Sequence, residues 1–213
     1  MAKFKKGILG PISGKIGPVI GSSWKGIPYL KAVAKNPKVR VPTPAQQAHH
    51  QKFAYLTRWL KPLHPYLTVG FKNLAENTTE ISAAFSHNFK MALMGSGDNL
   101  YIDYPSVCIS KGKLKGIQQL NIVLVNENTV HLSWQSEEGA LSKHNDQLML
   151  VLYNNELGIA DGFIGGTKRS ARTCTFSFEG RLVGKHFHAF VGLIALNGHE
   201  ISESQYLGKI EPL

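Results

Sequence analysis

The chain has 213 residues, 43% of them hydrophobic and 18% charged, and 24 Lys and Arg against 14 Asp and Glu give a formal net charge of +10. That length suits one ordinary domain with a smaller appendage, or two small domains, each burying a core of its own. No run of eighteen apolar residues occurs and there are only two cysteines, Cys108 and Cys174, which excludes a membrane-spanning helix, a disulfide scaffold and a disordered chain.

The charge is uneven. Residues 1–75 hold 13 Lys and Arg and no Asp or Glu, whereas the remainder holds 11 basic and 14 acidic residues, a net of −3. A block of like charge needs solvent or an anionic surface, so nucleic acid, another anionic polymer or an acidic protein face become candidate partners. Its cations include Lys15, Lys25, Lys31, Lys35, Lys38 and Arg40, which are spread out rather than run together.

Residues 1–11 are basic, but Ile8-Leu9 is followed at once by Gly10-Pro11. This makes no signal-peptide core, so a cytoplasmic or assembly-associated location is expected, or export by a specialised route. Residues 10–23 then form a near-repeat of seven, Gly-Pro-Ile-Ser-Gly-Lys-Ile followed by Gly-Pro-Val-Ile-Gly-Ser-Ser, and the two Gly-Pro pairs forbid a continuous helix. Ile8, Ile12, Ile16, Val19, Ile20 and Trp24 make this stretch too apolar for a free linker. The expectation is an extended arm over residues 1–42 that packs these side chains on its own domain or on a neighbouring subunit. Gly14-Lys15 is not part of a phosphate loop, because the pattern would need Gly at position 9 and a hydroxyl at 16, where Leu9 and Ile16 stand. No cofactor-binding motif is legible elsewhere.

Thr43-Pro44-Ala45-Gln46 is a capping box with proline at the first helical position, and it predicts a helix from Pro44 to about Lys61 that Pro62 ends. Phe53, Leu56, Trp59 and Leu60 fall on its inner face. His49-His50 are adjacent and cannot converge on one metal from a helix. Residues 62–75 fit no element clearly. A second helix, capped by Thr78 or Thr79, runs to the stop at Gly95-Ser96-Gly97, a strand is expected near residues 100–110, and Lys111-Gly112-Lys113 turns out of this small helical unit of residues 43–112.

From residue 113 the pattern changes to short alternating runs at 120–125, 129–134, 147–153, 172–178, 185–195 and 204–210. About seven short strands in this length predict an antiparallel β-sandwich with Trp134 in its core. The fold class is therefore α+β: an arm and a helical unit followed by a sandwich. With a tryptophan in the second strand and a tyrosine closing a central one, residues 113–213 resemble a fibronectin type III or immunoglobulin-like module, although the corner tyrosine of such modules is replaced by Phe187. His186 and His188 point to one face as surface or half-buried residues without a third metal ligand. Glu137, Glu138, His144, Asp146 and Asp161 fall in expected loops, and no spacing ties a nucleophile to a base, so no catalytic residue is assigned.

The segments 6–10 (KGILG), 13–17 (SGKIG), 21–26 (GSSWKG), 43–46 (TPAQ), Phe53 and 206–208 (YLG) carry a resemblance of the whole chain to an uncharacterised bacterial family of about this length. It implies a shared architecture and no activity. The leading expectation is a non-enzymatic assembly subunit, of a phage particle or a bacterial filament or surface assembly, that forms a homo-oligomer or larger array through its arm. The alternative is a nucleic-acid-binding protein that uses the acid-free first third, with Trp24, Tyr29, Phe53, Tyr55 or Trp59 stacking on bases.

Overall fold

A computed structural model describes residues 3–4, 10–34, 41–74, 78–135 and 143–213. The chain divides into two compact units, Met1–Thr43 and Pro44–Leu213.

The first unit is a β-meander rather than a single extended arm. Strands β1 (Lys3–Phe4), β2 (Ile12–Ile16), β3 (Val19–Trp24) and β4 (Ile27–Ala32) form one antiparallel sheet in chain order. The Gly-Pro pair read as a helix breaker makes the first hairpin turn, with Gly17 at positive φ. Lys25-Gly26, both at positive φ, make the second, the geometry whose twist matches paired strands. Gly21 is required for another reason: a Cβ there would lie 2.1 Å from the Ile12 carbonyl oxygen of the neighbouring strand β2.

The second unit has three layers. A three-stranded sheet of order β11-β8-β7 packs against a four-stranded sheet of order β10-β9-β12-β13. Its strands are β7 (Gln118–Asn126), β8 (Thr129–Gln135), β9 (Gln147–Asn154), β10 (Ile159–Lys168), β11 (Thr173–Ser177), β12 (Phe187–Ile194) and β13 (Gln205–Ile210), and the strand pairs within both sheets are antiparallel. One face of the four-stranded sheet, with Leu148, Leu150, Leu152, Phe187, Ala189, Val191 and Leu193, joins Val130, Leu132 and Trp134 in the sandwich core. The other face, with Met149, Val151, Tyr153 and Phe190, is covered by helices. This explains why β9 and β12 read as unbroken apolar runs: neither face meets water.

The helical layer begins with α1 (Pro44–Leu60), which ends just before Pro62 as expected, but the chain remains helical beyond it. A 3-10 turn (Lys61–Leu63) leads into α2 (His64–Gly70), and Pro62 and Pro65 both sit in first turns, where no N–H is needed. Helix α3 (Glu80–Met91) is capped by Thr79, whose Oγ1 accepts the Ser82 N–H at 3.2 Å. Leu56, Trp59 and Leu60 are buried as expected, but Phe53 is 51% exposed and rests on Phe85 at 4.7 Å between ring centres. The strand expected near 100–110 is limited to β6 (Tyr101–Ile102), paired with β5 (Leu93–Met94). The rest is held by side chains: Asn88 Nδ2 donates to the carbonyls of Ala84 and Cys108, and its Oδ1 accepts the Cys108 N–H, each at 2.9 Å. The boundary expected at residue 113 thus falls inside one unit, because helices and sandwich share the four-stranded sheet.

Candidate functional site

Strand register sorts the meander into two faces. Ile16, Val19 and Ala32 share one side with Gly14, Gly21 and Leu30, an apolar face without charge. Lys15, Ile20 and Lys31 share the other with Ser22, Tyr29, Trp24 and Ile27. The Lys25 ammonium lies 5.3 Å from the centre of the Trp24 ring, a cation–π distance. All six residues of β4 are exposed, Ile27 at 64% and Leu30 at 61%, and Ile16, Trp24 and Tyr29 are exposed as well. Of the side chains singled out in the sequence, Ile12, Ile16, Val19, Ile20, Trp24, Lys15, Lys25 and Lys31 therefore gather on this one small sheet. Ile8, Lys35, Lys38 and Arg40 lie outside the described residues, as do Glu137 and Glu138.

The second unit places the remaining candidates in structural roles. His188 is buried, against the expectation of a surface or half-buried residue, because the helical layer covers its face of the sheet. Its ring stacks on Tyr104 at 3.4 Å and 5°, and its Nδ1 lies 2.8 Å from the Tyr206 hydroxyl. Burial first, then the charges of His186 and Lys209, push its pKa down to about 4, so it is neutral at pH 7. Burial likewise pushes the Tyr104 phenol up to about 12 and the Cys108 thiol up to about 11, which leaves that cysteine inert. Cys174 is partly buried.

Of Asp146 and Asp161, both expected in loops, Asp146 lies in the loop just before β9, whereas Asp161 does not. Asp161 lies in β10, a strand whose Gly162, Gly165 and Gly166 mask its pattern. Asp146 is fully buried and pairs through Oδ2 with Arg169 Nε at 3.1 Å. The Arg169 guanidinium also donates to the carbonyls of Lys115 and Gly116, while its own carbonyl accepts the Trp134 indole N–H at 2.8 Å. This buried arginine holds three segments together, and nothing in the sequence pattern marks it. Among the described residues, no group of three His, Cys, Asp or Glu is placed to share a metal ion, and no helix is long and apolar enough to cross a membrane. A cleft of about 450 Å³ between α1 and the β9–β10 turn is lined by Tyr55, Arg58, Trp59, Lys61, Tyr153 and Glu156.

Fold and surface define an α+β protein with a helix-backed antiparallel sandwich and a separate, exposed β-meander. The family of unknown function DUF6266 matches residues 11–208, nearly the whole chain, and the chain belongs to that family. A comparison with curated proteins finds no match.

Proposed function

We propose that the chain is a non-enzymatic assembly subunit, of a phage particle or a bacterial filament or surface array, whose N-terminal meander contacts neighbouring subunits while the second unit serves as a rigid body for display. The observation that carries this reading is β4, every residue of which is exposed although it includes Ile27, Tyr29 and Leu30. A four-stranded sheet with an uncovered apolar row lacks the second layer that stabilises a β-structure, and a neighbouring protein surface supplies one. The strand order supports the display half. First, second and fifth strands of the sandwich form one sheet and third, fourth, sixth and seventh the other, with a buried tryptophan in the second strand, an order that resembles a fibronectin type III module and supports reading it as one.

A second reading, nucleic-acid binding, is favoured by the other face of the meander, where Lys15 and Lys31 alternate with Trp24 and Tyr29. Size-exclusion chromatography with light scattering, at low and high salt and with the 260/280 nm absorbance ratio recorded, separates the two. A nucleic-acid-free, salt-resistant assembly is the expected result. A monomer in all conditions refutes the assembly reading, and co-purifying nucleic acid that salt removes selects the second.

A further inference from the structure

The two sheets of the sandwich end in four edge strands, β7, β11, β10 and β13. Soluble proteins guard such edges with charge, proline, bulges or short length. β11 has five residues, β10 carries Asp161, Lys168 and a register break between Ile164 and Lys168, and β13 carries Lys209. β7 is different: its nine residues, QQLNIVLVN, hold neither charge nor proline. Its register with β8 breaks near both ends, between Gln118 and Asn121 and between Leu124 and Asn126, and leaves the run from Asn121 to Leu124 uninterrupted as the segment that can accept a strand. The inward row of Leu120, Ile122 and Leu124 is only half-buried, and in the outward row Val123 and Val125 are 46% and 52% exposed. Among the described residues no strand pairs the second edge of β7.

We infer that β7 accepts β4 of a second copy of this chain as an added strand. This rests on the assembly reading and names the surface that receives the meander. β4 is itself the end strand of its sheet, so both partners offer unpaired backbone. Pro28 withholds one N–H and leaves residues 29–32 to pair. The row of Pro28, Leu30 and Ala32 extends the half-buried row of β7, and the row of Ile27, Tyr29 and Lys31 lies beside Val123 and Val125, so no charge enters the apolar side. Charge does not oppose the contact: Lys31 is the one charged residue of β4 and Glu127 stands just past the end of β7, so no like charges meet. Such a contact joins different surfaces of two identical chains, so it propagates from copy to copy.

Two measurements on the full chain, in a Cys174→Ser background, test this. Copies bearing Val123→Cys are mixed with copies bearing Tyr29→Cys, whose side chain shares the outward face with Val123, under mild oxidation, and the expected product is a disulfide-linked dimer of one copy of each. Separately, Val123→Lys with Val125→Lys weakens association by at least about tenfold, while Thr175→Lys on the opposite edge strand leaves it unchanged. An assembly that persists with neither cross-link nor lysine effect overturns the β4–β7 pairing and leaves the assembly reading intact. A cross-link only within a single chain carrying both cysteines, or only between two Val123→Cys copies, overturns the second-copy β4 as occupant. A chain that is monomeric at every concentration overturns both. If the double-lysine variant does not fold, the cross-link alone decides.

Discussion

Acidification separates the buried histidine from the surface ones. His188 takes up a proton with a pKa near 6.5 when unfolded and about 4 when folded, so between these values the unfolded chain binds more protons and stability falls as pH falls. From those two values the loss at pH 5 is about 2 kcal/mol relative to pH 7, and it approaches about 3 kcal/mol below pH 4. The sign follows from burial, which disfavours the imidazolium. Of the nearby charges, His186 and Lys209 act in the same direction and Glu211 against them. Urea unfolding of the wild type and of His188→Gln at pH 7, 6 and 5 measures the difference. Glutamine removes the titrating group, so the variant should lose about 2 kcal/mol less than the wild type over this range even if it is less stable at pH 7. Parallel losses in the two proteins would refute the argument and place the pH sensitivity in other groups.

Replacing Arg169 by Met leaves the buried Asp146 carboxylate without its counter-ion and should cost about 3–5 kcal/mol in urea unfolding, whereas Arg169→Met combined with Asp146→Leu recovers a large part of it. Thr79→Ala removes the cap of α3 and should lower stability by about 1 kcal/mol in the same assay. Gly21→Ala drives a Cβ into the Ile12 carbonyl, and an overpacking cost of about 1–3 kcal/mol is expected. Amide exchange would read it as faster exchange across β2–β4 with β12 unchanged.

The parts of the fold legible in the sequence are those where one physical signal acts alone. Thr79 caps α3 because a hydroxyl followed by helical spacing has few other uses, and Trp134 is buried because Val130, Leu132 and Trp134 alternate. Signals misled where two rules competed. Pro62 reads as a helix stop and α1 does end before it, yet the 3-10 turn that holds it leads straight into α2, and the glycines of β10 hide a strand. Phe53 fits the inner face of α1 by spacing but lies half in solvent, because α3 offers it Phe85 at the edge of the layer instead of a place in the core. His188 was readable as one of an alternating pair, but not as buried, since that depends on helices far away in sequence covering its sheet. In the meander, the spacing of Gly, Pro and Ile gave the apolar residues of the candidate surface, and only strand register shows which of them share a face with Lys15 and Lys31.

The two units differ in what stabilises them, and that difference makes the assembly reading measurable without any partner in hand. β9 and β12 are covered on both faces and need nothing further, so their amide protection should not depend on protein concentration. β4 has no covered face, and a strand in that state gains protection only when another surface meets it. Under the assembly reading, hydrogen exchange in residues 27–32 slows as concentration rises through the association range, by about threefold for each tenfold increase above the midpoint, because the free chain grows only as the square root of the total. Exchange in residues 187–194 stays constant over the same range. If β4 is equally protected at the lowest concentration that can be measured, its cover belongs to its own chain, and the exposed apolar row does not drive association.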